Sequence, residues 1–322
     1  MNELLSVENL SCEFEMGSRF AARLCGRDVP VLRAVNDISF SVAAGSAVGI
    51  VGESGCGKST LANMIIGLAA PTAGTIRLEG KVLSRRRDRR TRRRIQMVFQ
   101  DPGASLNPKM TIGDALSEVL RFHDLRGGPA IQDRCHELLD LVELPASAFE
   151  ARPSSLSGGQ RQRAAIARSL ALEPDLLIAD EAVAALDVSV QAAILNLLNG
   201  LRERLGLTML FISHDLGVVR QVTDRVLVLY LGRVVEDQPT EDLFNDPRHP
   251  YTQALLAAAP KLTVRKAPGQ FALAGEVPRQ IGLPMGCSFR RRCARAEARC
   301  AESAPALAGP NEEHAAACHF AW

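Results

Sequence analysis

Apolar residues along this chain recur in short dense runs, separated by glycine-rich breaks and helical stretches. Residues 46–51 (S-A-V-G-I-V) are one such run, rich in β-branched members. A glycine-rich break follows, then a helix-like apolar stretch over 61–68, so the pattern predicts a strand, a loop and a helix. Residues 95–99, 176–179 and 208–212 read as further buried strands, the second preceded by a helical segment over 158–172. Short continuous apolar strands alternating with helices predict an α/β fold with a mainly parallel core sheet. Between 101 and 172 the strand signals stop and helical periodicity takes over, interrupted by Gly127, Gly128 and Pro129. That stretch is expected to be an inserted helical subdomain. Residues 225–230 and 234–236 flank a tight turn at Gly232 and read as a closing hairpin. After Pro239 the proline content rises, cysteines cluster and strands cannot be placed. A C-terminal appendage is expected to begin near Asn245, dividing the chain into 1–245 and 246–322.

Composition narrows the classes. With 322 residues, 47% of them hydrophobic, the chain can bury a full core, and its length suits one large domain with an appendage. A net charge of +2 gives no overall bias toward nucleic acid or an anionic membrane surface. The biased tract at 85–94 (R-R-R-D-R-R-T-R-R-R) has no interleaved aromatics for base stacking, and it is read as a solvated loop leading into the strand at Ile95. No run of eighteen apolar residues occurs, and residues 1–10 lack a basic flank followed by an apolar stretch. The chain is therefore expected neither to span a membrane nor to be exported. Eight cysteines in a chain of this size without a leader point to a reducing compartment, hence to free thiols or a metal site rather than disulfides.

Three motifs carry chemistry. Gly52, Glu53, Ser54, Gly55, Cys56, Gly57, Lys58, Ser59 and Thr60 match the phosphate-binding loop pattern in full, between a predicted strand and a predicted helix. The glycines let backbone amides turn inward around phosphates, and the helix N-terminus adds partial positive charge. Lys58 would hold the β- and γ-phosphates, and Ser59 would ligate Mg²⁺. Residues 176–181 (L-L-I-A-D-E) are an apolar strand ending in two acids. Asp180 is a candidate Mg²⁺ ligand and Glu181 a candidate for polarising the attacking water. Acids also end strands as solvated loop residues, and the phosphate loop upstream is what favours the catalytic reading. His214, after the strand at 210–213, is placed to contact a γ-phosphate; as a lone histidine it would be structural.

Residues 156–160 read L-S-G-G-Q, and R-Q-R-A-A-I-A-R-S-L runs on as a helix. Here the sequence resembles the ATP-binding cassette family, whose signature is this pentapeptide and whose motif order is repeated over essentially the whole chain. The resemblance implies that Gln100, in V-F-Q-D-P, touches Mg²⁺ or water and reports to the membrane subunit. It implies adenine stacking on Phe14, for which a core phenylalanine is the alternative. Ser157, Gly158, Gly159 and Gln160 would close over ATP held by the opposite cassette, Ser157 and Gly159 forming a second anion site at a helix N-terminus. Two positions depart from the family pattern: Ala182 stands where a proline is usual, and Ala184 where a serine is usual. Loss of the hydroxyl at Ala184 is expected to weaken communication across the dimer.

The long insert before Val31, V-F-Q-D-P-G-A-S-L-N-P at 98–108 and H-P-Y-T-Q-A-L-L at 249–256 resemble the oligopeptide and dipeptide importer branch. That likeness implies a second cassette, two transmembrane permease subunits and, indirectly, an extracytoplasmic solute-binding protein, with the chain at the cytoplasmic face of the inner membrane. It implies ATP and Mg²⁺ as cofactors and no nucleic-acid partner. Some members of the branch are thought to carry an iron-sulfur cluster in the extension. Cys287, Cys293, Cys300 and Cys318 supply the four thiolates that a [4Fe-4S] cluster needs; zinc and unligated cysteines are the alternatives. A soluble cassette ATPase acting on nucleic acid or ribosomes is the rival function, but such proteins usually carry two cassettes or a long coiled-coil insertion. A regulatory protein with a dead ATP site is opposed by the complete set Lys58, Ser59, Asp180, Glu181 and His214.

Overall fold

A computed structural model describes residues 2–17, 29–123, 129–258, 285–311 and 314–321. Gly127 and Gly128, the expected break in the helical insert, lie outside the described residues, as do residues 18–28 of the insert before Val31. The chain divides into two compact units, one of residues 1–4, 42–47 and 83–212, the other of 5–41, 48–82 and 213–322.

In the first unit, strands β6 (Ile95–Val98), β7 (Leu176–Asp180) and β8 (Thr208–Ser213) pair in parallel, Met97 opposite Ile178 and Ile178 opposite Leu210. Every residue of β7 and β8 is buried, as expected of strands covered on both faces. Between β6 and β7 the described residues form helices Ile112–Phe122, Pro129–Leu141 and Gly158–Leu170 with shorter turns between them, and no strand. The first of these opens on a capping box, Thr111 Oγ1 accepting from Asp114 N–H at 3.0 Å.

The second half of the arginine tract is a helix rather than a loop. Asp88 caps a short helix, Arg89–Arg94, by accepting from Thr91 N–H at 2.7 Å. Arg93 donates to Leu172 O at 3.1 Å and Arg94 pairs with Asp175, so the end of the tract fastens β6 to the segment entering β7.

The second unit contains an antiparallel sheet in the order β2–β1–β4–β5, built from Val31–Ala43, Glu3–Glu15, Ala73–Leu78 and Lys81–Val82. The unit also holds five strands that neighbour one another in the order β11 (Ala308–Asn311), β12 (His314–Ala316), β10, β9 and β3. Among them β3 (Ala47–Val51) is parallel to β9 (Arg225–Tyr230), and β10 (Arg233–Pro239) returns antiparallel to β9. The β9–β10 turn is Leu231-Gly232, both at positive φ (47° and 76°), which matches the right-handed twist of a two-residue hairpin.

Described residues from the stretch expected as an appendage pair with strands of this unit. Strand β12 (His314–Ala316) pairs with β10, Ala316 opposite Glu236, and β11 (Ala308–Asn311) pairs with β12. The buried Glu236 carboxylate accepts from the amides of Arg248 (2.6 Å) and His249 (3.0 Å), fixing the entry to helix Pro250–Ala258. His249 is fully buried; desolvation pushes its pKa down to about 3 and keeps the ring neutral. Its Nδ1 accepts from Tyr251 N–H at 3.0 Å.

Candidate functional site

In the second unit the phosphate-binding loop connects buried β3 to helix Lys58–Ile66. Two glycines have no substitute. A Cβ at Gly57 (φ +110°) would strike the carbonyl oxygen of Ala34, and one at Gly52 (φ +153°) would strike that of Leu229. Gly57 caps the helix with no side-chain hydrogen bond, and no acid occupies the first turn, so the leading amides are open to an anion. Ser54, Gly55 and Ser59 are exposed, Thr60 is half-buried and Cys56 is buried, where desolvation raises its thiol pKa. Lys58 is 5% exposed and donates from Nζ to Gly52 O at 2.7 Å and Glu53 O at 3.2 Å.

Glu53 behaves otherwise than its place in the motif suggests. Its carboxylate is engaged by Arg292 and its N–H by the Tyr251 hydroxyl, so the backbone alone belongs to the cradle. Sequence reasoning missed both partners. Tyr251 stood in the H-P-Y-T segment without an assigned role, and Arg292 carried no signal. In the same unit Phe14 is 44% exposed on β1, which removes the core alternative and leaves a ring available for stacking. His214 is exposed directly after β8.

In the first unit Asp180 ends β7, buried at 7% exposure, and Glu181 follows it. Glu181 has φ +48°, uncommon for a residue with a side chain, and its N–H donates to Ile212 O at 2.9 Å. Gln100 donates from Nε2 to Glu181 Oε2 at 2.9 Å, which brings together two candidate residues separated by 81 positions. That contact leaves the Gln100 amide oxygen as the atom able to face a cation. The oxygen donors of Ser59, Gln100 and Asp180 are chemically suited to Mg²⁺.

The L-S-G-G-Q segment turns into helix Gly158–Leu170 through a second capping box. Ser157 Oγ accepts from Gln160 N–H at 3.3 Å, and Gln160 Oε1 accepts from Ser157 N–H at 2.9 Å. Gly159 is required by packing, because a Cβ there would overlap Val190 Cγ1 of helix Val188–Leu205. Ala182 is buried at 2% and Ala184 is exposed, its N–H turned back to Glu181 O at 3.1 Å.

Two family profiles match: ABC transporter over residues 35–184, and oligopeptide/dipeptide transporter, C-terminal region, over 235–300. The "Probable peptide ABC transporter ATP-binding protein y4tS" of Sinorhizobium fredii is 46% identical over 319 residues, covering 98% of this chain and 89% of that one. The chain belongs to the ABC transporter ATP-binding family. A Brucella ovis relative with a peptide-import ATP-binding name is 45% identical over 318 residues, covering 98% of this chain and 97% of that one. Among solved structures, the ATP-binding cassette MJ0796, dimeric in a post-hydrolysis state bound to ADP and Pi, aligns with a TM-score of 0.64. It is 30% identical, over 74% of this chain and 99% of that one. The cbiO1 cassette of Clostridium perfringens, part of the cbiONQ transporter complex, aligns with a TM-score of 0.66 at 27% identity, over 76% and 92%. This cassette is thus an ATPase subunit of a transporter, and no helix among its described residues is long and apolar enough to cross a membrane.

In the cassette's extension Cys287, Cys293, Cys300 and Cys318 line one small cavity with Phe289 and Phe320. Burial raises the thiol pKa of Cys287, Cys293 and Cys318, and the neighbouring thiols add to it. Among the described residues no three His, Cys, Asp or Glu side chains are grouped closely enough to hold a single metal ion.

Proposed function

We propose that this cassette powers the import of oligopeptides, dipeptides or a related small solute from the cytoplasmic face of the inner membrane. The observation that carries the ATP chemistry is the helix N-terminus at Lys58, with open amides, no acid in its first turn and a buried ammonium beside them. Lys58 and the loop amides hold the phosphates, and Ser59, Asp180 and Gln100 are the Mg²⁺ ligands. Glu181 polarises the attacking water, His214 contacts the γ-phosphate and Phe14 stacks on adenine. Ser157, Gly158, Gly159 and Gln160 face ATP on a second cassette; the dimeric state of the solved MJ0796 cassette supports that arrangement.

Residues 1–245 act as the cassette, with 101–172 as the helical subdomain that meets the permease, and 246–322 as the extension. The partners are two permease subunits and, through them, a solute-binding protein. Peptide as cargo is supported by the names of the Sinorhizobium and Brucella relatives and by the C-terminal profile. Proteoliposomes holding the assembled complex should take up labelled di- to oligopeptides only with ATP and solute-binding protein present. ATP hydrolysis without uptake of any peptide length would remove peptides as cargo.

For the extension we propose a [4Fe-4S] cluster on the four thiols, with zinc the lesser alternative. That the four line one small cavity supports the reading, while the lack of any group of three metal-ligating side chains among the described residues does not. A [4Fe-4S] group there would cross-link residues 287–318, which have few large apolar side chains to build a core. Protein purified anaerobically should be brown and contain iron and sulfide in similar amounts, losing both on Cys300→Ser. Zinc, or no metal with the extension still protease-resistant, would remove the cluster and leave the ATPase untouched.

A further inference from the structure

Two residues from the far end of the chain hold the phosphate-binding loop through their side chains. The Gly52–Glu53 peptide unit is held on both edges: Gly52 O accepts from Lys58 Nζ at 2.7 Å, and Glu53 N–H donates to Tyr251 Oη at 2.9 Å. The Glu53 carboxylate takes both prongs of the Arg292 guanidinium, at 2.6 and 3.0 Å, from a residue 239 positions later. The Arg292 side chain is 5% exposed, and its guanidinium lies 5.9 Å from the Tyr230 ring centroid. Tyr230, Tyr251 and Phe289 pack on one another with centroids 4.7 to 5.4 Å apart. The hydrogen bond to Glu53 raises the Arg292 pKa, so the guanidinium stays charged, and burial raises that of Tyr251, so its hydroxyl stays protonated.

The arrangement has more specificity than loop stability requires. A bidentate guanidinium–carboxylate pair fixes orientation as well as distance, and a buried one is costly unless its geometry is good. The phosphate-loop pattern asks for no acid at its second position, and Arg292 reaches the loop through this side chain rather than through the motif's invariant positions. Lys58, however, is anchored on the carbonyls of Gly52 and Glu53, so the tilt of that peptide sets where the ammonium sits.

We infer that the C-terminal extension positions the phosphate-binding loop, Arg292 and Tyr251 acting through Glu53 to hold the Gly52–Glu53 peptide in the orientation that presents Lys58 and the loop amides to ATP. Both are positioning residues. The inference rests on the ATP reading of the loop, and it makes the extension a working part of the nucleotide site rather than an attachment to it.

Titration of the full-length chain with a fluorescent ATP analogue and Mg²⁺, with thermal melting in parallel, tests it. Arg292→Gln should weaken binding about tenfold, the scale of one charge-assisted contact. Tyr251→Phe, which keeps the ring stack and removes only the acceptor of Glu53 N–H, should weaken it roughly threefold to fivefold, and lower the melting midpoint by no more than one unpaired N–H costs. In the assembled transporter both should raise KM for ATP more than they lower kcat. Because Glu53 and Arg292 act through one contact, Glu53→Gln/Arg292→Gln should bind no more weakly than Arg292→Gln alone.

A merely structural role would lower the melting midpoint and leave the affinity of the folded protein unchanged. Unchanged ATP affinity in both single variants, or multiplying effects in the double variant, would overturn the inference. Should Arg292→Gln not fold, Tyr251→Phe decides alone. Wild-type chain that is folded but binds no ATP would overturn the ATP reading itself, whereas wild-type binding with unaltered variants overturns only the positioning role.

Discussion

Glu181→Gln protein should retain MgATP about as well as wild type while hydrolysing it roughly 10²–10⁴ times more slowly, the usual contribution of a positioned general base. Glu181 stands just past a fully buried strand, where its backbone cannot drift, since its N–H is held by Ile212 O. Its φ of +48° is a conformation that costs a side-chain-bearing residue about 1–3 kcal/mol, and glutamine bears the same cost. The substitution therefore changes the chemistry and little else. An amide cannot accept the proton of the attacking water, yet its oxygen can still receive the Gln100 Nε2 hydrogen bond. Single-turnover ATPase in the assembled transporter, with size analysis of the nucleotide-bound cassettes, should find slow chemistry and an accumulated ATP-bound dimer. Hydrolysis at the wild-type rate would show that another group is the base.

Lys58→Ala should lose ATP affinity by roughly 100-fold or more, equivalent to about 3 kcal/mol, the upper range for a hydrogen bond to a charged group. Two effects add. The phosphates lose a buried cation where water screens little, and the Gly52 carbonyl loses a partner at 2.7 Å. An unpaired buried carbonyl costs about 1–3 kcal/mol, so the melting midpoint should fall too. Equilibrium binding of a fluorescent ATP analogue separates the two effects, because only the first persists in protein that is fully folded at the assay temperature. Native affinity in such protein would sink the role given to Lys58.

Much of the nucleotide chemistry is legible in the sequence because it sits in contiguous segments. A phosphate loop needs glycines at fixed offsets before a helix, and the observed clashes at Gly52 and Gly57 give the steric reason. Strand β7 is readable for a similar cause: strands buried on both faces must be apolar at every position. The antiparallel sheet β2–β1–β4–β5 is not announced in this way. Its alternation slips where Asn9 and Asp37 adopt positive φ and bond to each other at 3.1 Å, and a β-bulge shifts the register between Glu8 and Ser11. A period-two search loses phase at such a point. The arginine tract reads as a loop because its helix is six residues long and depends on the Asp88 cap and on anchors at 172–175.

The sequence by itself determined the family, and it marked the loop glycines, the acids that follow β7 and the start of the signature helix, because each of these segments is a short-range pattern whose geometry follows from local backbone rules. Only the tertiary structure decided which distant groups share those residues. It joined Gln100 to Glu181, left Phe14 exposed, and committed the Glu53 carboxylate to an arginine 239 positions away. Residues 246–322 read in sequence as an appendage, and those from 260 on include few large apolar side chains. The order of the described residues 285–311 and 314–321 comes instead from strand pairing along β10, from the packing of Phe289 on two tyrosines, and from one buried ion pair. Such contacts form between residues far apart in the chain once the core has folded, and no local periodicity announces them.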